Sequence, residues 1–323
     1  MIDLHMHLNG SLSTKIILKI AEEDNVKLPT YDENELQKLI SVPKNNQSLN
    51  DYLKCTAVPR LVTQTENGIE KAVFYLLEEL ANQGIIYAEI RFAPQRHRDN
   101  GLTQEQVVLS AIRGVQKARI KASLILCCMR GDNLFEENLE TLNLAEKYLN
   151  NGVGGLDLAG AEAKFKTIDY KELFEIAHKK NIPFTIHAGE ADGANSVSDA
   201  IDFGAKRIGH GIRSIEDDEV IKKLIENNVY LEICPSSNLQ TKAVESIEYY
   251  PFRKLLDRGV KLTVNTDNKN ISDTTLSEEF KILEDNFSLT NSERKELLYN
   301  SINASFLLEE DKKELKNILD KML

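Results

Sequence analysis

The regular alternation of short apolar, β-branched runs with amphipathic segments is the feature that most restricts the fold of this chain. Such runs occur at residues 2–7, 86–92, 122–128, 155–159, 183–187, 207–210, 229–234 and 262–266, and a stretch with helical periodicity follows each of them. This alternation is typical of parallel strands joined by crossover helices. We therefore predict an α/β fold, a (β/α)8 TIM barrel built by these strands.

The connections between the predicted strands add detail to this barrel. Thr103 and Gln106 form a capping box at the start of a helix, and a second helix is predicted over residues 69–82 with Gly84 as its stop signal. About 80 residues separate the first two strands, far more than a simple crossover needs. We expect a helical insertion there, with apolar positions at 16–21 and 52–62, and further helices over 276–323. With no internal repeat or linker, residues 1–323 are predicted to form one domain.

Charge and hydropathy restrict the class of ligand. The chain has a formal net charge of −11, which disfavours binding to the phosphates of nucleic acid or of anionic lipid. No apolar stretch of membrane-spanning length and no signal-peptide pattern occurs. A small-molecule substrate and a cytoplasmic location are therefore expected, without nucleic-acid or membrane partners. The oligomeric state is not predicted.

The cysteines show no spacing typical of a disulfide framework or a zinc ribbon. Cys127 and Cys128 are adjacent and would point to opposite faces of a strand, which disfavours joint binding of one metal ion. We expect Cys55, Cys127, Cys128 and Cys234 to be reduced and structural.

Histidines lie at the predicted C-terminal ends of several strands, where barrels of this type carry their active sites. His5 and His7 are two positions apart on the first strand, so both side chains face the same way. His187 ends the fifth strand, and Asp267 follows the eighth. Three imidazoles and one carboxylate form a donor set suited to Zn²⁺ with a position left for water.

The remaining histidines divide into two groups. His210 ends the sixth predicted strand and therefore belongs to the same rim as the candidate metal ligands. His97 and His178 lie outside strand ends and are interpreted as structural or surface residues.

Six segments resemble the adenosine deaminase family of the amidohydrolase superfamily, in the same order and over nearly the whole chain. Together they are highly specific for this family. The segments are His5-Met6-His7-Leu8-Asn9-Gly10-Ser11-Leu12, Tyr87-Ala88-Glu89-Ile90-Arg91-Phe92-Ala93-Pro94, Asp157-Leu158-Ala159-Gly160, Ile186-His187-Ala188-Gly189-Glu190, Arg207-Ile208-Gly209-His210-Gly211 and Asn265-Thr266-Asp267.

The resemblance implies a role for each motif residue. It implies that the ligands of one Zn²⁺ ion are His5, His7, His187 and Asp267. It also implies three catalytic residues. Glu190 is the proton donor to purine N1, and His210 orients and stabilises the attacking hydroxide. Asp267 is the third. The substrate contacts it implies are His7, Asn9 at the ribose 5′ end, the Gly160 backbone at N3, and Asn268 at N7.

Hydrolytic deamination requires this combination of groups. Zinc lowers the pKa of a bound water from about 15.7 to about 7, and the water then attacks the ring carbon that carries the amine. Electrons move onto N1, so Glu190 must be protonated, which burial favours because it raises a carboxyl pKa. Cytidine-type deaminases are excluded because Cys234 is followed by Pro235-Ser236-Ser237-Asn238 and not by their Pro-Cys-x-x-Cys element.

Four positions depart from the usual family pattern. Asn9 and Asn268 stand where aspartate is frequent, Lys269 replaces a frequent proline, and Ala161 replaces an acidic residue. The Asn268 amide can donate to N7 without the protonation that a carboxyl would need, and the Asn9 amide would not repel a phosphate. No consequence is assigned to Ala161.

The expected reaction is conversion of adenosine, and of 2′-deoxyadenosine, to inosine and ammonia. Two alternatives on the same scaffold are deamination of N6-methyl-AMP and of free adenine. A catalytically silent family member that binds nucleosides or a partner protein is the alternative outside the enzymes.

Overall fold

The computed structural model of this chain describes residues 1–43, 46, 52 and 54–322. Its strands are β1 (Ile2–His7), β2 (Tyr87–Phe92), β3 (Lys121–Met129), β4 (Val153–Ala159), β5 (Thr185–Ala188), β6 (Arg207–His210), β7 (Tyr230–Ile233) and β8 (Lys261–Val264). Each predicted strand is therefore present, with ends shifted by two residues at most. The fifth begins at Thr185, and just before it the carbonyl of Pro183 accepts a hydrogen bond from Leu156 N on β4.

The strands form two parallel four-stranded sheets, ordered β1-β2-β3-β4 and β5-β6-β7-β8. Single parallel bridges join these sheets at both edges, between Leu156 and Phe184 and between Met6 and Asp267. At the second edge, His7 N donates to Asp267 O at 2.7 Å and Asp267 N donates to His5 O at 2.8 Å. The strands therefore run in sequence around a closed ring, which confirms the predicted barrel.

A group of helices separates β1 from β2, as expected from the length of that connection. These helices are α1 (Leu8–Ser11), α2 (Thr14–Asp24), α3 (Glu33–Ile40), α4 (Ala57–Leu61) and α5 (Glu66–Asn82). Leu53 and Leu323 fall in predicted helical segments but lie outside the described residues.

The helices after β2 pack around the barrel and continue beyond β8. They are α6 (Gln104–Lys117), α7 (Phe135–Lys147), α8 (Lys171–Lys179), α9 (Ala194–Asp202), α10 (Asp218–Glu226), α11 (Pro235–Gln240), α12 (Phe252–Asp257), α13 (Leu276–Phe287), α14 (Asn291–Ala304) and α15 (Glu309–Met322). The last three confirm the helices predicted at the C-terminal end.

Local capping explains where two of these helices begin. The Thr103 hydroxyl accepts from Gln106 N, and the Gln106 side chain accepts from Thr103 N, which is the predicted capping box. Helix α5 begins three residues earlier than predicted because the Thr65 hydroxyl accepts from Gly68 N. Gly84 follows this helix at φ +77°, a conformation that glycine adopts without steric cost.

The barrel interior contains a group of charged side chains beneath its C-terminal rim. Arg91 lies 2.8 Å from Glu232 and 3.2 Å from Asp157, while Arg207 lies 2.5 Å from Glu89 and 2.6 Å from Glu232. All five side chains are fully buried. Opposite charges satisfy one another here, because an unpaired charge at this depth would be very unfavourable.

Two further expectations concern the whole chain. Cys55, Cys127, Cys128 and Cys234 are free thiols and buried, as predicted. In the part of the chain that the structure describes, no helix combines the length and the apolar character needed to cross a bilayer.

Candidate metal and active site

Four potential metal ligands converge at the C-terminal rim of the barrel. They are His5 and His7 on β1, His187 on β5 and Asp267 after β8, and one donor atom from each lies within 4.8 Å of those of the others. His7 Nε2 is 3.1 Å from His187 Nε2 and 3.3 Å from Asp267 Oδ1. The structure thus brings together the four residues for which the sequence predicted a shared ion.

Two carboxylates orient the imidazoles of this cluster. His5 Nδ1 lies 2.9 Å from Glu232 Oε2, and His187 Nδ1 lies 2.9 Å from Asp157 Oδ2. A carboxylate that accepts from Nδ1–H holds the neutral ring with its Nε2 lone pair free, the arrangement common for metal-bound histidine.

The donor set fits a metal ion on the evidence of one buried atom. His5 Nε2 is fully buried and has no hydrogen-bond partner among the described residues, and the nearest carboxylate oxygen, Asp267 Oδ1, is 3.4 Å away. Buried polar nitrogens are normally paired. A cation bound by His5, His7, His187 and Asp267 would satisfy this atom, and an N₃O set of this kind suits Zn²⁺.

Asp267 is fixed by its backbone and by its neighbours. Its φ of +59° is unusual for a residue with a side chain, and the bridge to Met6 holds it in this conformation. Ser237 Oγ donates to Asp267 Oδ2 at 2.6 Å, and Asn268 Nδ2 donates to Oδ1 at 2.7 Å. The carboxylate therefore cannot rotate freely.

Glu190 is a buried carboxyl group beside this cluster. Burial raises its pKa to about 8, and the negative charge of Asp267 adds to this effect. The Thr241 hydroxyl donates to Glu190 Oε1 at 3.1 Å, and His210 Nε2 lies 3.5 Å from Oε2. At neutral pH this group is mainly protonated and can act as a hydrogen-bond donor or an acid.

His210 adopts a defined tautomer within the same site. Asn238 Nδ2 donates to its Nδ1 at 3.0 Å, and the Asn238 carbonyl accepts from the Tyr250 hydroxyl at 3.1 Å. The amide orientation is fixed in this way, so the proton of the neutral ring is on Nε2. Burial and the neighbouring His5 hold the pKa of His210 well below its usual range. His210 therefore presents an N–H to the site and remains neutral at pH 7.

The candidate substrate residues line a pocket above the metal ligands, together with Tyr52 from the insertion after β1. Asn9 donates to the Thr63 hydroxyl at 3.1 Å, and Gly160 has a φ of +114°. Gly10 lies so close to Asn268 that a Cβ there would come within 1.8 Å of Asn268 Oδ1. Glycine at this position is therefore needed to let the Asn268 side chain reach the site.

The two histidines assigned to structural roles lie elsewhere. His97 is buried, has Nδ1 3.0 Å from the carbonyl of Thr63 and packs edge-on against Phe92. His178 is exposed in α8.

Sequence reasoning did not assign roles to several side chains that orient this site. They are Asp157, Glu162, Glu232, Ser237, Asn238 and Thr241. An acidic residue inside an otherwise apolar strand is a signal that could have found Asp157 and Glu232. The others lie in loops or at helix ends, and their partners are distant in sequence.

Comparison with known proteins agrees with this geometry. The family model described as adenosine deaminase matches residues 1–322. The adenosine deaminase of Haemophilus ducreyi is 47% identical over 322 residues, which cover 97% of this chain and 94% of that protein.

Solved structures of related deaminases superpose on nearly the whole chain. The adenine deaminase of Arthrobacter aurescens superposes with a TM-score of 0.88 at 27% identity, covering 99% of this chain and 98% of that one. The N6-methyl-AMP deaminase of Arabidopsis thaliana superposes with a TM-score of 0.85 at 26% identity, covering 99% and 96%.

Proposed function

The chain belongs to the adenosine deaminase family of hydrolytic deaminases, and from this premise we propose that it converts adenosine and 2′-deoxyadenosine to inosines with release of ammonia. The proposed cofactor is one Zn²⁺ ion held by His5, His7, His187 and Asp267. The observation that carries the proposal is a buried Glu190 carboxyl group, whose pKa burial raises to about 8, beside this four-ligand cluster.

Each side chain of the site has a separate role in the proposed reaction. The donor set of His5, His7, His187 and Asp267 would hold a Zn²⁺ ion, which would supply an acidified water as the nucleophile of the hydrolysis. Glu190 protonates purine N1, where negative charge develops as the ring carbon is attacked. His210 has its Nε2–H available for the attacking oxygen, since Asn238 already occupies Nδ1. Neutral His210 is thus a hydrogen-bond donor that orients and stabilises this oxygen.

The pocket offers contacts to each part of a purine nucleoside. We assign Asn268 to N7, the Gly160 backbone to N3, and His7 and Asn9 to the ribose side. One N–H of the Asn268 amide is used on Asp267 and the other is left for N7. The side chains of Phe92, Ala93 and Met129 line the pocket and are available for apolar contact with the base.

A substrate panel with product analysis tests this assignment. Adenosine, deoxyadenosine, adenine, AMP and N6-methyl-AMP are incubated with protein of measured metal content, and the purine products are separated by chromatography. The products are followed because N6-methyl-AMP releases methylamine, which an ammonia assay does not detect. We expect the highest kcat/KM with adenosine. A preference for another substrate would overturn the adenosine assignment, and purine binding without any product would favour a catalytically silent protein.

Two residues favour a nucleoside 5′-monophosphate as the second candidate substrate class. Asn9 is uncharged, and Arg96 is an exposed guanidinium that lines the same pocket. An arginine fork binds phosphate well, and Asn9 would not repel it. If monophosphates are substrates, Arg96→Gln raises KM for AMP or N6-methyl-AMP and leaves KM for adenosine unchanged. A KM for the monophosphates that is unchanged in this variant would contradict the second candidate.

A further inference from the structure

Glu162 is a buried carboxylate in the loop that follows β4, and it faces the loop that carries Glu190. Glu162 is only 1% exposed to solvent. Oε1 accepts from Gly189 N at 2.7 Å, while Oε2 accepts from Glu190 N at 3.1 Å, Ala191 N at 2.7 Å and Asp192 N at 3.1 Å. Four consecutive backbone amides after β5 therefore point at one side chain.

A hydroxyl completes the set of donors around Glu162. Ser196 Oγ, in α9, donates to Oε1 at 2.6 Å and lies 2.6 Å from Thr167 Oγ1. Arg130 donates to the same Thr167 hydroxyl and to the carbonyl of His187. The loop is thus held from both sides, and the Glu162 carboxylate accepts hydrogen bonds from five donors.

The loop has little freedom to adopt another conformation. Gly189 has a φ of +70°, and a Cβ there would come within 2.6 Å of Val197 Cγ2. Glu190 follows it directly, so its backbone N–H is fixed on Glu162 while its carboxyl group reaches Thr241 and His210. Because Glu162 holds the main chain of Glu190, the direction in which the Glu190 side chain leaves the backbone is fixed.

We propose that Glu162 is a positioning residue, which aims the Glu190 carboxyl group at the purine by holding the Gly189–Asp192 backbone. This proposal rests on the proposed role of Glu190 as proton donor. Glu162 does not touch the substrate, and its effect is transmitted through the loop. A misplacement of about 1 Å at a reacting group can lower a rate about 100-fold.

The charge of Glu162 gives the proposal a readout that a purely structural role would not move. The titratable groups that act on Glu190 include His187 on β5, Asp267 after β8 and Glu162 after β4. Burial raises the pKa of Glu190, the charges of Asp267 and Glu162 raise it further, and His187 lowers it. Removal of the negative charge at position 162 shifts the basic limb of the pH profile to lower pH.

Glu162→Gln is the principal test, made on the metal-loaded full chain. The amide offers one acceptor oxygen and turns an NH₂ group toward backbone N–H donors, so the loop is released. We expect kcat to fall about 10- to 100-fold, with KM and metal content near those of the unmodified protein. An unchanged kcat, or a loss of kcat that only follows a loss of metal, would overturn the proposal.

Two further variants separate geometry from charge. Glu162→Asp keeps the charge but withdraws the carboxylate by about 1.5 Å, the length of one carbon–carbon bond. Glu162→Asp should lower kcat without moving the basic limb of the pH profile. If Glu162→Gln does not fold, Glu162→Asp is the deciding variant, and a normal kcat in it would contradict the proposal. Glu175→Gln, on the exposed face of α8, is the control and should leave every quantity unchanged.

Glu190→Gln distinguishes a failure of this inference from a failure of the proposed function. If Glu190→Gln is active, the proton-donor role is wrong. If it is inactive while Glu162→Gln is fully active, the positioning role alone is wrong.

Discussion

At the scale of single residues, the function depends on protonation states that burial imposes. Glu190 and Asp267 are both buried carboxyl groups in one site, yet their environments differ. Asp267 lies among His5, His7 and His210, and these interactions hold its pKa well below its usual range against the effect of burial. Glu190 has no such set of donors, so burial raises its pKa to about 8. One group is therefore suited to bind a cation and the other to give up a proton.

Replacement of Glu190 by glutamine tests the acid role directly. Glutamine keeps the size and a hydrogen-bond donor but cannot transfer a proton. We expect kcat to fall about 100-fold or more, with the metal content unchanged. Steady-state kinetics with metal analysis measure both, and Glu216→Gln in an exposed turn is the control. Near-normal turnover in Glu190→Gln would refute the role.

The pH dependence of kcat/KM follows from the same group. Glu190 must be protonated to act, and its pKa is raised to about 8. Activity should therefore be retained through neutral pH and decline as pH rises through about 8. The profile is measured with adenosine from pH 6 to about 10, over which exposed carboxyl groups stay ionised. A basic limb that persists unchanged in residual Glu190→Gln activity would assign it to another group.

At the scale of elements, the strands carry both the site and the charges beneath it. Asp157 on β4 links the site to the buried charges, since it contacts His187 in the site and Arg91 beneath it. Asp157→Asn keeps an acceptor for His187 Nδ1 but loses the charge. We expect metal affinity to fall about 10- to 100-fold, as measured by competition with a chelator. Asp199→Asn on α9 is the control, and an equal affinity in both variants would contradict this role for Asp157.

Among the polar contacts between the insertion after β1 and the loop after β8 is an ion pair of Glu79 with Lys269. Lys269 Nζ lies 2.7 Å from Glu79 Oε1, and Ser13 Oγ donates to Glu79 Oε2 at 2.8 Å. Glu79→Gln leaves the buried ammonium of Lys269 without its charge partner, so we expect a loss of about 1–3 kcal/mol in the free energy of unfolding. Urea titration measures this loss.

Glu78 gives a matched control on the same helix. Its carboxylate pairs with Arg119 at the surface, where such pairs contribute about 0–1 kcal/mol. Glu78→Gln should therefore cost less than Glu79→Gln. Equal losses in the two variants would show that the Lys269 contact does not fasten the insertion.

Secondary-structure elements could be predicted from the sequence, whereas contacts between residues distant in the chain could not. The strands were predictable because a buried parallel strand leaves a continuous apolar run, and His5 and His7 were recognisable from their spacing. Glu232 was not assigned as the partner of His5, 227 residues away, because no local periodicity records such a pairing. Asn238 and Thr241 were missed for a related reason, since a short helix after β7 gives no sign of what its polar side chains face.

At the scale of the whole molecule, the proposed metal ligands come from both halves of the barrel. His5 and His7 belong to the first sheet, whereas His187 and Asp267 belong to or follow strands of the second. An ion bound by all four binds the native state only, and free metal at 100 times its Kd would add about 2.7 kcal/mol to the free energy of unfolding.

Metal removal should therefore lower Tm as well as activity. Differential scanning calorimetry before and after chelation, with zinc added back, measures the effect. Asp267→Ala should show a Tm that does not respond to zinc. An identical Tm of the unmodified protein with and without metal would contradict a shared site across the two sheets.

Because the bridge between Met6 and Asp267 closes the barrel, the candidate metal site cannot form until Asp267 has been synthesised. A chain leaving the ribosome exposes His5 and His7 first, but Asp267 and the loop after β8 follow only when most of the polypeptide has been made. The barrel cannot close, and the ligand set cannot be complete, before that point. The proposed metal site is therefore expected to fill only after Asp267 has been made, since a shorter chain carries His5, His7 and His187 without the carboxylate.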